Sequence, residues 1–488
     1  MKRIAIILGR GVEGCGVTRC AVEFQKATPN TKIFATLDKK WSRRDTMVFD
    51  KDEFICGNSE EMDRVLKEVN ENFDMVLIYS VPSKKHPEDC QTNFVKLVQG
   101  ISLPKAIVQL DHKMQSLSRN GKFDEICSSV DVLMTHSLES DFTRWAIRES
   151  VTTPFKKMAL GFTYDDHRAK YWLPIEEQDH KTIRWIGRLS GWKGPNLMMD
   201  FHAQHMKEQG FITILEGLEA SIGWAGILYE KGDSKHGKPY YKPGEIVNHF
   251  RPQKELGEVK FNTDMYGTEE PGMGSYLYPP YNNVDCMERM AKSAYGSDLY
   301  HLKPHMYGNN IENCHAECVA SGTIPIFHKH FCDNVIHRVT GNPVSEDNHS
   351  GTIGLDHSNF VNNAGLMEKL SNDPIMRNEM REMAFEYWKA HSDAVTCTQE
   401  IIKNLEDIVT EHGIMGAQGS SNVPADDNQL SIFDAIDATP EVSGDTTQDK
   451  LQESAGRVLS NSTYGSVVNT EINDSVDYEA LLKNLREI

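Results

Sequence analysis

The 488-residue sequence contains ten cysteines but no CxxC pair. Structural zinc sites need such spacings, and disulfide frameworks belong to short, cysteine-dense secreted chains. Reduced thiols in a cytoplasmic setting are the reading that remains. Cys314 and Cys318, with His315, His328, His330 and Cys332 further on, read better as a buried strand-and-helix core than as a metal site. No apolar run approaches the ~20 residues that cross a bilayer, so no membrane partner is expected. The apolar start, Ile4 to Leu8, is too short for a signal peptide and runs into a glycine turn. Positive charge is scarce, with 52 Lys and Arg against 71 Asp and Glu and a net charge of −19. That argues against non-specific nucleic-acid binding, although a local basic groove can coexist with an acidic exterior.

Hydrophobic residues make up 39% of the chain and charged residues 25%, as in a soluble globular protein, and the length implies more than one domain. Residues 1–175 alternate strand and helix patterns. Ile4 to Leu8, Met75 to Tyr79, Ala106 to Leu110 and Val132 to Thr135 are apolar runs that each end in polar residues or a turn. Open α/β sheets place their chemistry on that edge. The first run leads into Gly9 to Thr18, which contains G-x-G-x-x-G before a helix pattern. Backbone N–H groups there favour an anion, and no acidic partner sits at the offset a nicotinamide cofactor needs. The third run ends in Asp111-His112, followed by Ser118-Arg119-Asn120. Asp111 fits an active-site edge or a helix N-cap, and His112 fits that edge or an ordinary surface position.

A second α/β unit starts near Lys181. Its first strand ends in Arg184-Trp185-Ile186-Gly187-Arg188, and the turn continues through Trp192-Lys193-Gly194 into an apolar helix pattern. Arg188 and Lys193 on that edge suit a diphosphate: the guanidinium forks across oxygens and the ammonium adds a compact charge. A surface turn with two solvated cations is the plainer alternative. Phe211 to Leu215, ending in Glu216-Gly217-Leu218-Glu219, is the next strand. Residues 229–283 are rich in Lys, Tyr, Pro and Gly and read as an irregular insertion. It is either a surface loop or cations such as Lys238 interleaved with rings for nucleic acid. A helix over 313–320 carries Glu317, on the helix surface or facing the cleft of Arg188 and Lys193. Long helices fill 373–410. From Met415 to Ile488, thirteen acidic residues face four basic ones and apolar residues thin out, as in a disordered tail.

Taken together, Arg10 to Thr18, Ser80 to Pro82, Asp111-His112 with Ser116 to Asn120, Arg184 to Arg188 with Trp192 to Gly194, Glu216 to Glu219, Glu288 to Ser293 and Gly322 to Pro325 resemble the DNA α-glucosyltransferases of T-even phages. The blocks fall in family order over residues 1–410. The resemblance implies a GT-B fold: two Rossmann-like domains facing a central cleft, over 1–175 and 176–385. Helices over 386–412 would cross back to the N-terminal domain, and an acidic tail would span 413–488. It implies a retaining transfer of a sugar from a UDP-sugar, UDP-glucose by default, to 5-hydroxymethylcytosine in duplex DNA, in the cytoplasm of an infected host. UDP-arabinose or another pentose donor is an alternative, as is a non-DNA acceptor.

Residue by residue, the resemblance assigns Arg188 and Lys193 to the diphosphate, Glu317 to the ribose, and Gly14, Gly16, Glu219 and Glu312 to the donor. Asp111 and His112 fall near the acceptor and the reacting carbon. Arg119, Lys84 and Lys238, the last in the 229–283 insertion, which has no counterpart in the family, are candidate DNA contacts by their charge. A divalent metal would stimulate without being tightly bound. Asn309 stands where wider retaining GT-B families carry a second glutamate, and Leu110 where the phage relative is polar. Separately, Gln429, Leu430, Ile432 and Phe433 resemble the short peptides that dock on sliding clamps, which would raise local concentration on DNA.

Overall fold

The computed structural model describes residues 2–11, 16–37, 49–82, 86–110, 121–188, 193–218, 275–278, 283–302, 306–308 and 311–417. Within them two parallel sheets form.

The first lobe runs β1 (Ile4–Gly11), α1 (Gly16–Ala27), β2 (Thr31–Leu37), β3 (Asp52–Phe54), α2 (Ser59–Asn72), β4 (Met75–Ser80), α3 (Glu88–Gly100), β5 (Lys105–Gln109), α4 (Gly121–Cys127), β6 (Val132–Thr135), α5 (Asp141–Arg148) and β7 (Phe155–Lys157). Its strands pair in parallel in the order β3-β2-β1-β4-β5-β6-β7. Each parallel step needs a crossover, and helices supply most of them, so both faces of the sheet are covered. The alternation in β1 serves both faces. Ile4, Ile6 and Leu8 join one apolar cluster, and Ala5 and Ile7 join the other.

α6 (Tyr164–Tyr171) leads to the second lobe: β8 (Asp179–Arg188), α7 (Pro195–Phe201), β9 (Ile212–Leu218), β10 (Ser275–Tyr278), α8 (Asn283–Ala291), β11 (Ser293–Asp298), α9 (Asn313–Ala320), β12 (Ile324–His328), α10 (Lys329–Asn334), β13 (Ile353–Leu355) and α11 (Phe360–Asn372). Its strands are parallel in the order β10-β9-β8-β11-β12-β13. Trp185 packs with Phe201, Phe211 and Met367 on one face. Ile186 packs with Met287, Met290 and Phe327 on the other. β10 lies inside the stretch expected to be irregular. Its Ser-Tyr-Leu-Tyr sequence has the aromatic character that suits a sheet, and it pairs along β9.

Two long helices close the described chain, α12 (Pro374–Ser392) and α13 (Ala394–Ala417). Asp373 caps α12 by accepting the N–H groups of Ile375 and Met376, with Pro374 at the first helical position. Phe385 and Trp388 of α12 belong to the core of the second lobe, whereas Ile401, Leu405 and Ile408 of α13 belong to the core of the first. The chain crosses between lobes at Asp393. There Phe162 N–H donates to the Ser392 carbonyl at 2.9 Å and Ala394 N–H donates to the Phe162 carbonyl at 3.0 Å. The isolated bridge that Phe162 forms there with Asp393 is parallel.

Candidate active site

In each sheet the strand order reverses at one point, between β1 and β4 in the first lobe and between β8 and β11 in the second. Crevices open beyond the carboxyl ends of strands at such points. In the second lobe the turn after β8 and the last residue of β11 meet there. The turn is clamped: the Trp185 indole N–H donates to the Lys193 carbonyl at 3.1 Å. Gly194 has φ +64°, and a Cβ on it would lie 2.8 Å from the Leu299 carbonyl oxygen. Only glycine lets the backbone press this closely against the segment after β11.

This packing brings the Lys193 ammonium 3.1 Å from Asp298 Oδ2 and 3.2 Å from Glu312 Oε2, and 4.4 Å from the centre of the Tyr300 ring. Lys193 is 5% exposed and Asp298 fully buried. Burial alone would lower the lysine's affinity for its proton, but the two carboxylates outweigh it and push the pKa up, so the cation is fixed. Burial pushes the Asp298 carboxyl up to about 6, with Lys193 opposing and Glu312 adding to the rise. His315 reinforces the frame. Glu312 N–H donates to its Nδ1 at 3.2 Å, so its Nε2 carries the hydrogen and donates to the Asp298 carbonyl at 3.2 Å. Burial, then the charge of Lys193, pulls His315 down to about 3, which keeps the imidazole neutral as that pattern requires.

Glu312 is the N-cap of α9. The next residue, Asn313, reaches across to the first lobe, where its Nδ2 donates to the carbonyl of Gly16, the first residue of α1, at 2.9 Å. Two helix N-termini from different lobes thus meet beside a buried ammonium, an arrangement that favours an anion. One turn into α9, Glu317 is 6% exposed, with Arg19 Nη2 of α1 3.8 Å from its Oε1. Arg19 is in turn held by Glu23 at 3.1 Å and contacts His167 Nε2 at 3.0 Å. Glu23 also faces Lys26 at 3.0 Å and accepts the N–H of Thr163 at 3.0 Å. On the facing side, Gly308 has φ +53°, and a Cβ there would lie 2.3 Å from the His136 carbonyl oxygen just past β6.

Of the residues expected from sequence, Gly16, Lys193, Glu312 and Glu317 converge on this spot. The burial of Glu317 removes the helix-surface alternative. Arg188 ends β8, where it pairs with Leu218. Gly14, Lys84, Asp111, His112, Arg119, Glu219, Lys238, Gln429, Leu430, Ile432 and Phe433 lie outside the described residues. Sequence reading missed Asp298, Arg19, Glu23 and the tautomer-fixing role of His315. The one available signal for Asp298 was a strand of small residues, Ser293-Ala-Tyr-Gly-Ser, closing on an acid. Among the described residues no group of three His, Cys, Asp or Glu side chains is placed to hold a metal ion.

Two parallel sheets, with a buried ammonium where helix N-termini from both lobes meet, and the match to solved α-glucosyltransferases make this a glycosyltransferase of the GT-B class. The chain belongs to the DNA α-glucosyltransferase family, whose profile matches residues 15–375. The DNA α-glucosyltransferase of Enterobacteria phage T4 is 29% identical over 416 residues, covering 82% of this chain and 98% of that protein. A solved α-glucosyltransferase in complex with UDP matches with a TM-score of 0.72 and 27% identity, over 83% of this chain and all of the other. Another, in complex with UDP and a 13-mer DNA containing an HMU base, matches with a TM-score of 0.71 and 28% identity, over 84% and 99%.

Proposed function

We propose that this enzyme moves a sugar, glucose by family default, from a UDP-sugar to the hydroxymethyl oxygen of 5-hydroxymethylcytosine in duplex DNA, with retention at the anomeric carbon. One observation carries the reading: the buried Lys193 ammonium sits where the first turns of α1 and α9 converge. A donor diphosphate placed there meets a preset cation and two helix N-termini. Their stabilisation grows as the sugar leaves and charge collects on the phosphate. Relatives in complex with UDP, with UDP-glucose and with base-modified DNA support the choice of donor and acceptor.

In this reading Arg188 is the second diphosphate cation, Glu317 accepts hydrogen bonds from the ribose hydroxyls, and Gly14, Gly16, Glu219 and Glu312 line the donor site. The bond from the anomeric carbon to phosphate breaks and the bond to the acceptor oxygen forms on the same face of the sugar. The departing phosphate takes the hydroxyl proton, so no strong protein base is needed. Asp111 and His112 orient the reacting groups. The base leaves its stack at a cost of roughly a few kcal/mol, and Arg119, Lys84 and Lys238 hold the strained duplex. A divalent ion, bound with the donor and without a tight protein site, would supply further charge neutralisation for the diphosphate. The segment Gln429 to Phe433 tethers the enzyme to a sliding clamp in the host cytoplasm, and a pull-down with equal recovery of Phe433→Ala rejects that tether.

The test is to offer UDP-glucose and UDP-arabinose in competition, with hydroxymethylated and unmodified duplexes, and to analyse the digested nucleosides by mass spectrometry. A hexosyl adduct confined to hydroxymethylcytosine is expected, with turnover falling roughly a hundredfold or more in Lys193→Ala. A pentosyl adduct corrects the donor, and no adduct on the modified duplex removes the reading.

A further inference from the structure

The transfer just described gives no task to Asp298, although solvent does not reach that residue. Its Oδ2 takes the Lys193 ammonium at 3.1 Å, its Oδ1 accepts the N–H of Tyr300 at 3.0 Å, and its main-chain carbonyl accepts from His315 Nε2 at 3.2 Å. These ties reach the turn after β8, the segment after β11 and the first turn of α9. The other carboxylate on Lys193 stands differently: the Glu312 side chain is 29% exposed. Among the described residues the ammonium therefore has one enclosed anionic neighbour and one that solvent reaches.

We propose that Asp298 is a positioning residue for the donor: it anchors the Lys193 ammonium at the N-terminus of α9, so that the donor diphosphate takes the place of the Glu312 carboxylate while the Asp298 contact persists. The inference rests on the reading of Lys193 as a diphosphate cation. A lysine has a flexible four-carbon stem and a point charge, so its aim must come from its neighbours. The opposite expectation is equally physical. A buried carboxylate near a diphosphate repels it, and if that effect dominated, removing Asp298 would tighten donor binding.

UDP-glucose, titrated calorimetrically into the full chain without DNA, separates the two. Asp298→Asn keeps the shape and removes the charge. Binding should weaken roughly tenfold, the scale of coupling between contacting charged residues, with affinity for duplex DNA unchanged. The pH dependence gives a second readout, obtainable on the unaltered protein. Lys193, Glu312, Cys314, Cys318, His315 and Tyr300 surround Asp298. Burial brings Asp298 to about 6, His315 is held near 3, and Lys193 and the Cys314 and Cys318 thiols lie far above. The phosphates of UDP-glucose are diesters and do not titrate there. If the charged carboxylate aims the ammonium, affinity falls as pH is lowered through about 6, and Asp298→Asn flattens the profile. Affinity that rises on acidification, or an Asn variant that binds as tightly as the unaltered protein with the same profile, overturns the proposal, even if thermal stability drops. Lys193→Ala distinguishes the two failures. If that variant binds UDP-glucose normally, the diphosphate reading itself is wrong. If it loses binding while Asp298→Asn behaves as the unaltered protein, only the positioning role is rejected.

Discussion

Glu23 in the first lobe and Asp298 in the second are both fully buried carboxylates, yet their surroundings drive them in opposite directions. Burial works against the charged form of each. At Glu23 a hydrogen bond with His167 and the charges of Arg19 and Lys26 outweigh it, and the carboxyl is held far below its usual range. At Asp298 burial prevails over the charge of Lys193, which Glu312 shares, and the group rises to about 6. The balance of neighbouring charge, more than depth, decides which buried acid stays ionised. The first cluster is an electrostatic joint between α1 and α6. The second, among the described residues, sets one cation beside two carboxylates.

The contrast is sharpest in stability. Glu23→Gln removes the carboxylate that Arg19, Lys26 and the Thr163 N–H share, leaving the buried Arg19 with Glu317 at 3.8 Å, and should cost about 3–5 kcal/mol in urea denaturation, more than Asp298→Asn, which leaves Lys193 paired with Glu312. Equal losses would erase the distinction. The sign with pH follows. A carboxyl whose folded value is depressed contributes stability that is present above its unfolded value, near 4.3, and is lost as pH falls below it. The unaltered protein should therefore lose this contribution only below about pH 4, and the Gln variant should lack that acid limb.

A smaller effect tests whether the backbone at Gly194 is set by shape. Gly194→Ala places a Cβ 2.6 Å from that of Leu299 at a φ of +64°, and should cost about 1–3 kcal/mol with weaker UDP-glucose binding. An Ala variant of undiminished stability and affinity would show that the turn relaxes freely. The smallest change is expected for Asn313→Ala, which deletes the hydrogen bond to Gly16 between lobes at a cost of about 1 kcal/mol in thermal unfolding. A loss matching that of Glu23→Gln would move the joint between lobes from the charge cluster to this bond.

Much of this was legible in the chain. Apolar runs ending in polar residues located the strands Ile4–Gly11, Met75–Ser80 and Val132–Thr135, and their edges, because a parallel strand is buried on both faces. Lys193 was legible because glycines and a short turn flanked it, and Glu317 because of its place in a helix followed by Gly322-Thr-Ile-Pro325. Arg19 and Glu23 were not legible. Spaced four apart on α1, they look like a solvated helix pair, and the packing of Thr163, of His167 in α6 and of Glu317 in α9 buries them. Asp298 escaped for the same reason: its partners come from 105 positions before it in the chain and from the helix that follows.

The core of the N-terminal lobe contains Ile401, Leu405 and Ile408 from α13, nearly four hundred positions after β1. During synthesis, the ribosome releases every strand of that lobe long before it releases the helix that finishes it. Until then the nascent lobe carries an open apolar trough on the face shared with α1, a surface of the kind that chaperones engage and that drives association. A fragment ending at residue 175 would carry the same trough for good. The two halves of this enzyme are thus tied by the order of biosynthesis as well as by the hydrogen bonds that join Phe162 to Ala394 and Asn313 to Gly16.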